Sequence, residues 1–185
     1  AHHWQEWLKH GTFPDHAWRT HLQRSALTLK GLTYTPSGAM IAAPTTSLPE
    51  TPGGDRNWDY RYSWIRDASL TLEALYIGAC SDEAGEFVSF MTSSAGGGDS
   101  LQIMYGIDGR RDLTETVRED LSGYSGARPV RVGNGAFDQR QNDVFGAVLD
   151  SILKHTMHSQ RLPRRLWPVV QAQAECATRA WRNPD

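Results

Sequence analysis

The hydrophobic positions of this chain recur mainly at helical spacing, and the segments that carry them alternate with polar stretches rich in glycine and proline. Apolar residues at intervals of three and four favour helices, while Gly11, Pro36 and the run 96–98 of three glycines act as breaks. Six helical segments are predicted in this way, at about residues 4–10, 18–35, 65–79, 81–95, 143–158 and 163–181.

The helix predicted over 65–79 has apolar residues around much of its circumference, among them Leu70, Leu72 and Leu75. A helix that is apolar on several sides is expected to be buried on several sides. Ser81, followed by two acidic residues, has the pattern of a helix start. The turn before it is so short that the two helices should form an antiparallel pair.

The last two predicted helices continue the same arrangement. Their expected inward positions are Val144, Val148, Ile152, Leu153, Leu166, Val169, Val170, Ala174 and Ala177. About five substantial helices in antiparallel pairs, joined alternately by short turns and long loops, are typical of an α-helical toroid whose loops at one rim carry the chemistry. The predicted fold class is therefore all-α.

The connections between the helices are long in two places. Residues 40–43 form a short apolar run, either strand or extended loop, and residues 44–58 have loop composition. Residues 101–105 alternate like a short strand, and repeated glycines then make 106–135 irregular. A long irregular segment inside a compact domain is usually functional or disordered, and the aromatics and arginines of this one favour function.

Composition and charge exclude several classes. The 185 residues suit one domain, and a net charge of -2 gives no electrostatic case for nucleic acid or an anionic membrane. The basic run 161–165 is interpreted as the solvent-exposed start of a helix. No apolar run is long enough to span a membrane. Cys80 and Cys176 lie in apolar helical patterns, so they are expected to be buried free thiols of a cytoplasmic protein.

Three short motifs do not support a catalytic or cofactor site. His155 and His158 lie three apart on a helix but lack a third metal ligand at a suitable spacing. The run 122–126 lacks the strand and helix of a nucleophile elbow, and 133–135 lacks the context of a phosphate loop. We therefore expect no metal and no cofactor.

The most informative segment is the run DYRYSWIRD at residues 59–67, here called the signature segment. Flat aromatic faces next to charged hydrogen-bonding groups suit a small, hydroxyl-rich ligand. The alternative is that the rings are core, with Arg66 and Asp67 as a local ion pair. A second polar loop, 126–135, is followed by Gln141 and Asp143, and the predicted pairing places both loops on one rim.

These residues resemble the first signature of glycoside hydrolase family 15, the glucoamylase and trehalase family. The runs at 48–50, 54–58, 101–106 and 128–134 are similar to its bacterial branch, particularly to actinobacterial trehalase-like members. The resemblance covers nearly the whole chain. It implies an (α/α)6 barrel that hydrolyses α-glucosidic bonds with inversion, acting on a small α-glucoside such as trehalose, maltose or a malto-oligosaccharide.

The resemblance also implies roles for individual residues. Tyr60, Trp64, Arg66 and Asp67 match sugar-binding positions for the non-reducing glucose. Arg128 and Asn134 match the family at positions whose contact with the sugar is less direct, here called the second tier. The loop of Arg128 carries a tryptophan in fungal glucoamylases, and that tryptophan is absent here.

The catalytic carboxylates are not among these positions, because the match makes Asp67 a sugar ligand. Glu50, Asp55 and Asp59 are interpreted as turn or network groups. The run 181–185 resembles the stretch that precedes the general acid in similar proteins, so both glutamates are expected beyond Asp185. Residues 1–17 would be a linker helix and 18–185 a partial catalytic domain, inactive alone. A non-catalytic carbohydrate-binding protein and a purely structural helical fragment remain alternatives.

Overall fold

A computed structural model describes residues 2–78, 80–95 and 101–184. In this part of the chain the helices are α1 (His2–Leu8), α2 (Arg19–Gly31), α3 (Ala68–Ile77), α4 (Ser81–Ala95), α5 (Asp143–Ser159) and α6 (Trp167–Ala180). Short antiparallel pairs connect them: β1 (Thr33–Tyr34) with β2 (Ala39–Met40), β3 (Ser63–Trp64) with β4 (Met104–Tyr105), and β5 (Thr116–Val117) with β6 (Arg131–Val132).

The prediction of a mainly helical fold is confirmed, and the helices pack as neighbours along the chain. The central helix α3 contacts α2, α4 and α5, and α5 also contacts α4 and α6. Their shared core includes Leu72, Leu75, Met91, Val148 and Ile152, which are almost completely buried. Successive helical hairpins of this kind are compatible with the first part of a helical toroid.

Three helix boundaries differ from the prediction by three or four residues. The last helix, predicted from 163, begins at Trp167 and follows a 3-10 turn over Arg164–Leu166. The helix predicted over 65–79 begins only at Ala68, because the strand pairing of Ser63 and Trp64 with β4 continues to Ile65, whose N–H donates to the Ile103 carbonyl at 2.9 Å. The helix predicted over 18–35 ends at Gly31, and the residues around Pro36 form a hairpin instead. A Cβ on Gly38 would lie 2.6 Å from a backbone oxygen of Glu86, so only glycine fits this turn. The triple glycine 96–98 and Ala79 lie outside the described residues.

The predicted burial is wrong at three positions. Leu70 on α3 is 69% exposed, Leu153 on α5 is 55% exposed, and Ala174 on α6 is also exposed. Ile77 and Met157 extend the exposed apolar surface of α3 and α5. Helical periodicity identifies which face is apolar, but it does not reveal whether another element covers that face.

The cysteines and histidines for which the sequence suggests no catalytic or metal-binding role pack within the fold. Cys80 and Cys176 are both buried, and burial together with Glu83 raises the pKa of Cys80 to about 11. The His155 ring lies 2.6 Å, Nδ1 to Oη, from Tyr76, and burial lowers its pKa. His158 stacks on the same tyrosine at 4.0 Å. In the described ranges, no group of three or more possible ligand side chains could hold a metal, and no helix could cross a membrane.

Candidate functional site

Asp59 fixes the first half of the signature segment. Its side chain is completely buried and accepts hydrogen bonds from the Arg61 backbone N–H at 3.1 Å and from the guanidinium at 2.9 and 2.8 Å. The Gly133 N–H donates to the same carboxylate at 3.1 Å, and the Asn134 amide donates to the Asp59 carbonyl at 3.0 Å. The buried carboxylate therefore joins the signature segment to the second loop, as its interpretation as a network group predicted.

The ionisation of Asp59 reflects these contacts. Burial by itself would raise the pKa of the carboxyl group, since it disfavours the charged form. The hydrogen bonds from Arg61 and the Gly133 N–H outweigh that effect and hold the pKa below its ordinary value. Asp59 is thus a charged structural group that faces its own loops.

Arg131 forms a second tie between the two loops. Its Nε donates to Glu115 at 2.9 Å, and its Nη1 donates to the carbonyls of Asp55 and Asn57, both at 3.0 Å. Its guanidinium also lies 4.4 Å from the centre of the Trp58 ring. This packing holds the residues before the signature segment against β6.

The aromatic rings of the signature segment differ in exposure. Tyr62 is buried in the core, whereas Tyr60 is 39% exposed and Trp64 is half-buried. The centres of the Tyr60 and Trp64 rings lie 5.6 Å apart with their planes tilted by 47°. The alternative interpretation of these rings as core therefore holds for Tyr62, while Tyr60 and Trp64 form a partly accessible aromatic pair.

The last two residues of the segment are more open. Arg66 donates from Nη1 to the Gln141 Oε1 at 2.8 Å and lies 3.7 Å from an oxygen of Asp143. The partners of Arg66 thus come from the residues that follow the second loop: Gln141 lies just before α5, and Asp143 is its first residue. Asp67 precedes α3, is exposed, and makes no hydrogen bond or ion pair through its side chain within the described residues.

Asp67 and Trp64 line a cavity of about 240 Å³ together with Thr71. The rest of its wall is apolar: Leu29, Leu32, Met40, Ile41, Ala42 and Phe87. This volume is below the range of about 300–1,000 Å³ that is usual for small-molecule pockets. The cavity alone is therefore smaller than a typical disaccharide site.

The second-tier residues lie in other surroundings. Arg128 is exposed, and its Nη1 is 3.5 Å from a carboxylate oxygen of Glu119. Asn134 is buried; besides its bond to Asp59, its Oδ1 accepts the Ala136 N–H at 3.0 Å and begins a 3-10 turn. In the described residues no hydrogen bond joins either side chain to the side chain of Tyr60 or Trp64.

A larger cavity escaped the sequence analysis. It has a volume of about 620 Å³ and lies between the start of α5, the end of α6 and the residues before β4. Gln102, Arg111, Phe137, Gln141 and Arg179 are among its lining residues. Gln141 joins this cavity to Arg66. The sequence signals for it are Gln141, which follows the second polar loop, and the block 101–106, which contains Gln102.

Together these features give a definite chemical character to the rim. Two partly accessible rings, a guanidinium with further N–H donors and a carboxylate without a partner in the described residues lie within eight positions of the sequence, just before α3. Such a set can cover apolar C–H surface and also bind hydroxyls in fixed directions.

Comparison with known proteins agrees with this fold. Residues 17–185 match the family described as glycosyl hydrolases family 15. The chain belongs to this family, which confirms the resemblance found in its sequence.

Several relatives carry a more specific name. The chain is 53% identical to the trehalase of Mycolicibacterium smegmatis over 98% of its length, and 53% identical to that of Mycobacterium tuberculosis over the same share. It is 39% identical to the trehalase of Thermoplasma volcanium over 99% of its length. The chain spans 28%, 27% and 29% of the lengths of these relatives. No solved structure matches it.

Proposed function

We propose that this chain is the sugar-binding part of an inverting α-glucosidase that hydrolyses trehalose. The observation that carries the proposal is the partly accessible pair of Tyr60 and Trp64, followed in the sequence by Arg66 and by the Asp67 carboxylate, which has no partner among the described residues. The trehalase names of relatives that are 53% identical favour trehalose over maltose and malto-oligosaccharides as the substrate.

Each residue has a defined task in this proposal. The rings of Tyr60 and Trp64 cover C–H faces of the non-reducing glucose, while Arg66 donates to its hydroxyls and Asp67 accepts from them. A hydrogen bond to a charged group is worth about 1.5–3 kcal/mol, so the last two residues supply most of the orientation. Asn134 supports the site indirectly, because its side chain binds the backbone of Asp59. Arg128 is proposed to contact the substrate only at the edge of the site.

The bond-breaking carboxylates are proposed to lie in other parts of the whole protein. Inverting hydrolysis requires a carboxylic acid on the leaving oxygen and a carboxylate that activates water, about 6.5–9.5 Å apart. Asp59 is unsuited to either task, because Arg61 and Gly133 already bind its oxygens. The buried thiols suit a reducing compartment, and we propose a cytoplasmic location.

A chimaeric enzyme tests the proposal directly. The matching segment of the Mycolicibacterium smegmatis trehalase would be replaced by this chain, and glucose release from trehalose would be measured. We expect activity that falls by at least about 100-fold with Asp67→Ala, because the glucose loses its fixed position. Asp120→Ala, which removes an exposed carboxylate paired with Arg118, is the matched control and should leave the rate unchanged.

Two other results would contradict parts of the proposal. A folded chimaera that binds trehalose without hydrolysing it would favour a non-catalytic carbohydrate-binding protein. Glucose release by the 185-residue chain alone, abolished by Asp67→Ala, would show that the catalytic carboxylates lie within the chain.

A further inference from the structure

We propose that Gln141 is a positioning residue that holds the Arg66 guanidinium in the orientation needed to bind the sugar. The inference rests on the proposed function, since it concerns how the same site is arranged. The main evidence is a contact between two residues that are 75 positions apart in the sequence: Arg66 Nη1 lies 2.8 Å from Gln141 Oε1.

The chemistry of the two groups fixes the direction of this contact. A guanidinium only donates hydrogen bonds, so the Gln141 side chain must present its oxygen to Arg66. The amide nitrogen then faces away and donates to the Gln139 Oε1 at 3.2 Å. The Gln141 side chain is thereby held at both its oxygen and its nitrogen, and its backbone carbonyl accepts the N–H of Val144 in the first turn of α5 at 3.4 Å.

A neutral amide is well suited to this task. A guanidinium has five N–H donors, and the Gln141 amide accepts only one of those of Arg66. Among the described residues, the other donors therefore remain available to a ligand. Asp143 also approaches, but at 3.7 Å and with both side chains about half exposed, at 49% and 50%. Such an open ion pair is weak, so the hydrogen bond to Gln141 is the main restraint on Arg66.

The contact contributes little to folding but more to ligand binding. A long side chain that keeps one geometry before the ligand arrives loses less rotamer freedom on binding. If Gln141 acts through Arg66 in this way, its removal should weaken sugar binding and leave the stability of the chain nearly unchanged.

A double-mutant cycle tests the inference. The affinity of the full 185-residue chain for trehalose would be measured by NMR titration for wild type, Gln141→Ala, Arg66→Ala and the double variant. We expect Gln141→Ala to weaken binding about 3- to 10-fold in the wild-type background and to have no effect once Arg66 is alanine. Gln141→Glu retains an acceptor oxygen for Arg66, so this variant should keep most of the wild-type affinity for trehalose.

The control and the contrary outcomes separate this inference from the proposed function. Gln171→Ala removes an exposed glutamine from α6 and should change neither affinity nor unfolding temperature. Trehalose binding by the wild type with an equal loss for Gln141→Ala in both Arg66 backgrounds would overturn the positioning role alone. An unchanged affinity for Gln141→Ala would do the same. No binding of trehalose by the folded wild type would overturn both the positioning role and the proposed sugar site.

Discussion

The two ends of the signature segment have opposite surroundings. At the first end, the Asp59 carboxylate is completely buried and has hydrogen-bond partners on both of its oxygens. At the other end, Asp67 is exposed, and Arg66 has its hydrogen-bond partner on a neighbouring loop. Polar groups that the fold already satisfies position the backbone, whereas those left accessible are available to a ligand. The composition of the segment alone does not distinguish the two kinds of residue.

The largest expected effect on stability is at the buried tyrosine. Tyr62→Ala should lower the free energy of unfolding by about 3–5 kcal/mol, as for other large core side chains, when measured by urea denaturation. Tyr60→Ala is the matched variant, because the same side chain is lost from an accessible position. It should cost no more than about 1.5 kcal/mol, the contribution of one aromatic contact. Equal losses for both variants would remove the distinction between the two ends.

The next effect concerns the buried carboxylate. Asp59→Asn should lower the free energy of unfolding by about 1–3 kcal/mol, since the guanidinium of Arg61 and the Gly133 N–H lose a charged acceptor. Asp67→Asn makes the same chemical change at the open end and should stay within about 0.5 kcal/mol of wild type. A larger loss at Asp67 than at Asp59 would contradict the assignment.

A smaller effect should appear in the dependence of stability on pH. The folded-state pKa of Asp59 lies below its ordinary value, so the stabilisation from this group is fully present above the ordinary carboxyl range. It is lost as the pH falls through the folded-state pKa. Thermal unfolding measured from neutral pH into that acidic range should therefore show a steeper decline for wild type than for Asp59→Asn. Parallel curves would indicate that Asp59 has the same pKa in both states.

The smallest expected effect is at Arg128. Its contact with Glu119 is 3.5 Å long, and the two side chains are 52% and 83% exposed. Arg128→Ala should change the free energy of unfolding by less than about 1 kcal/mol, because exposed ion pairs contribute little. A clear loss of trehalose affinity in a titration of the same variant would place Arg128 in the inner site rather than at its edge.

Much of the fold could be predicted from the sequence, because helical periodicity depends on local spacing. The start of α4 at Ser81 and the long helix α5 follow directly from that pattern. The strand pairing of Ser63 and Trp64 could not, because it depends on residues 104–105, about forty positions away. The exposure of Leu70 likewise depends on what lies against α3, which periodicity does not encode.

The candidate site shows the same limit. The aromatic and charged residues of the signature segment were recognisable by type, and the meeting of the two loops followed from helix pairing. The division between buried Tyr62 and accessible Tyr60 was not predictable, since both are tyrosines two positions apart. The contact between Arg66 and Gln141 also required the structure, since the sequence indicated one rim but not which atoms meet.

The most direct test of the central claim is the affinity for trehalose measured together with stability for Asp67→Ala and wild type. If the open end of the signature segment binds the sugar, Asp67→Ala will lose at least about tenfold in affinity, the equivalent of one charged hydrogen bond, while its unfolding curve stays superimposable on that of wild type. Trehalose binding by Asp67→Ala with the same affinity as wild type would contradict the claim.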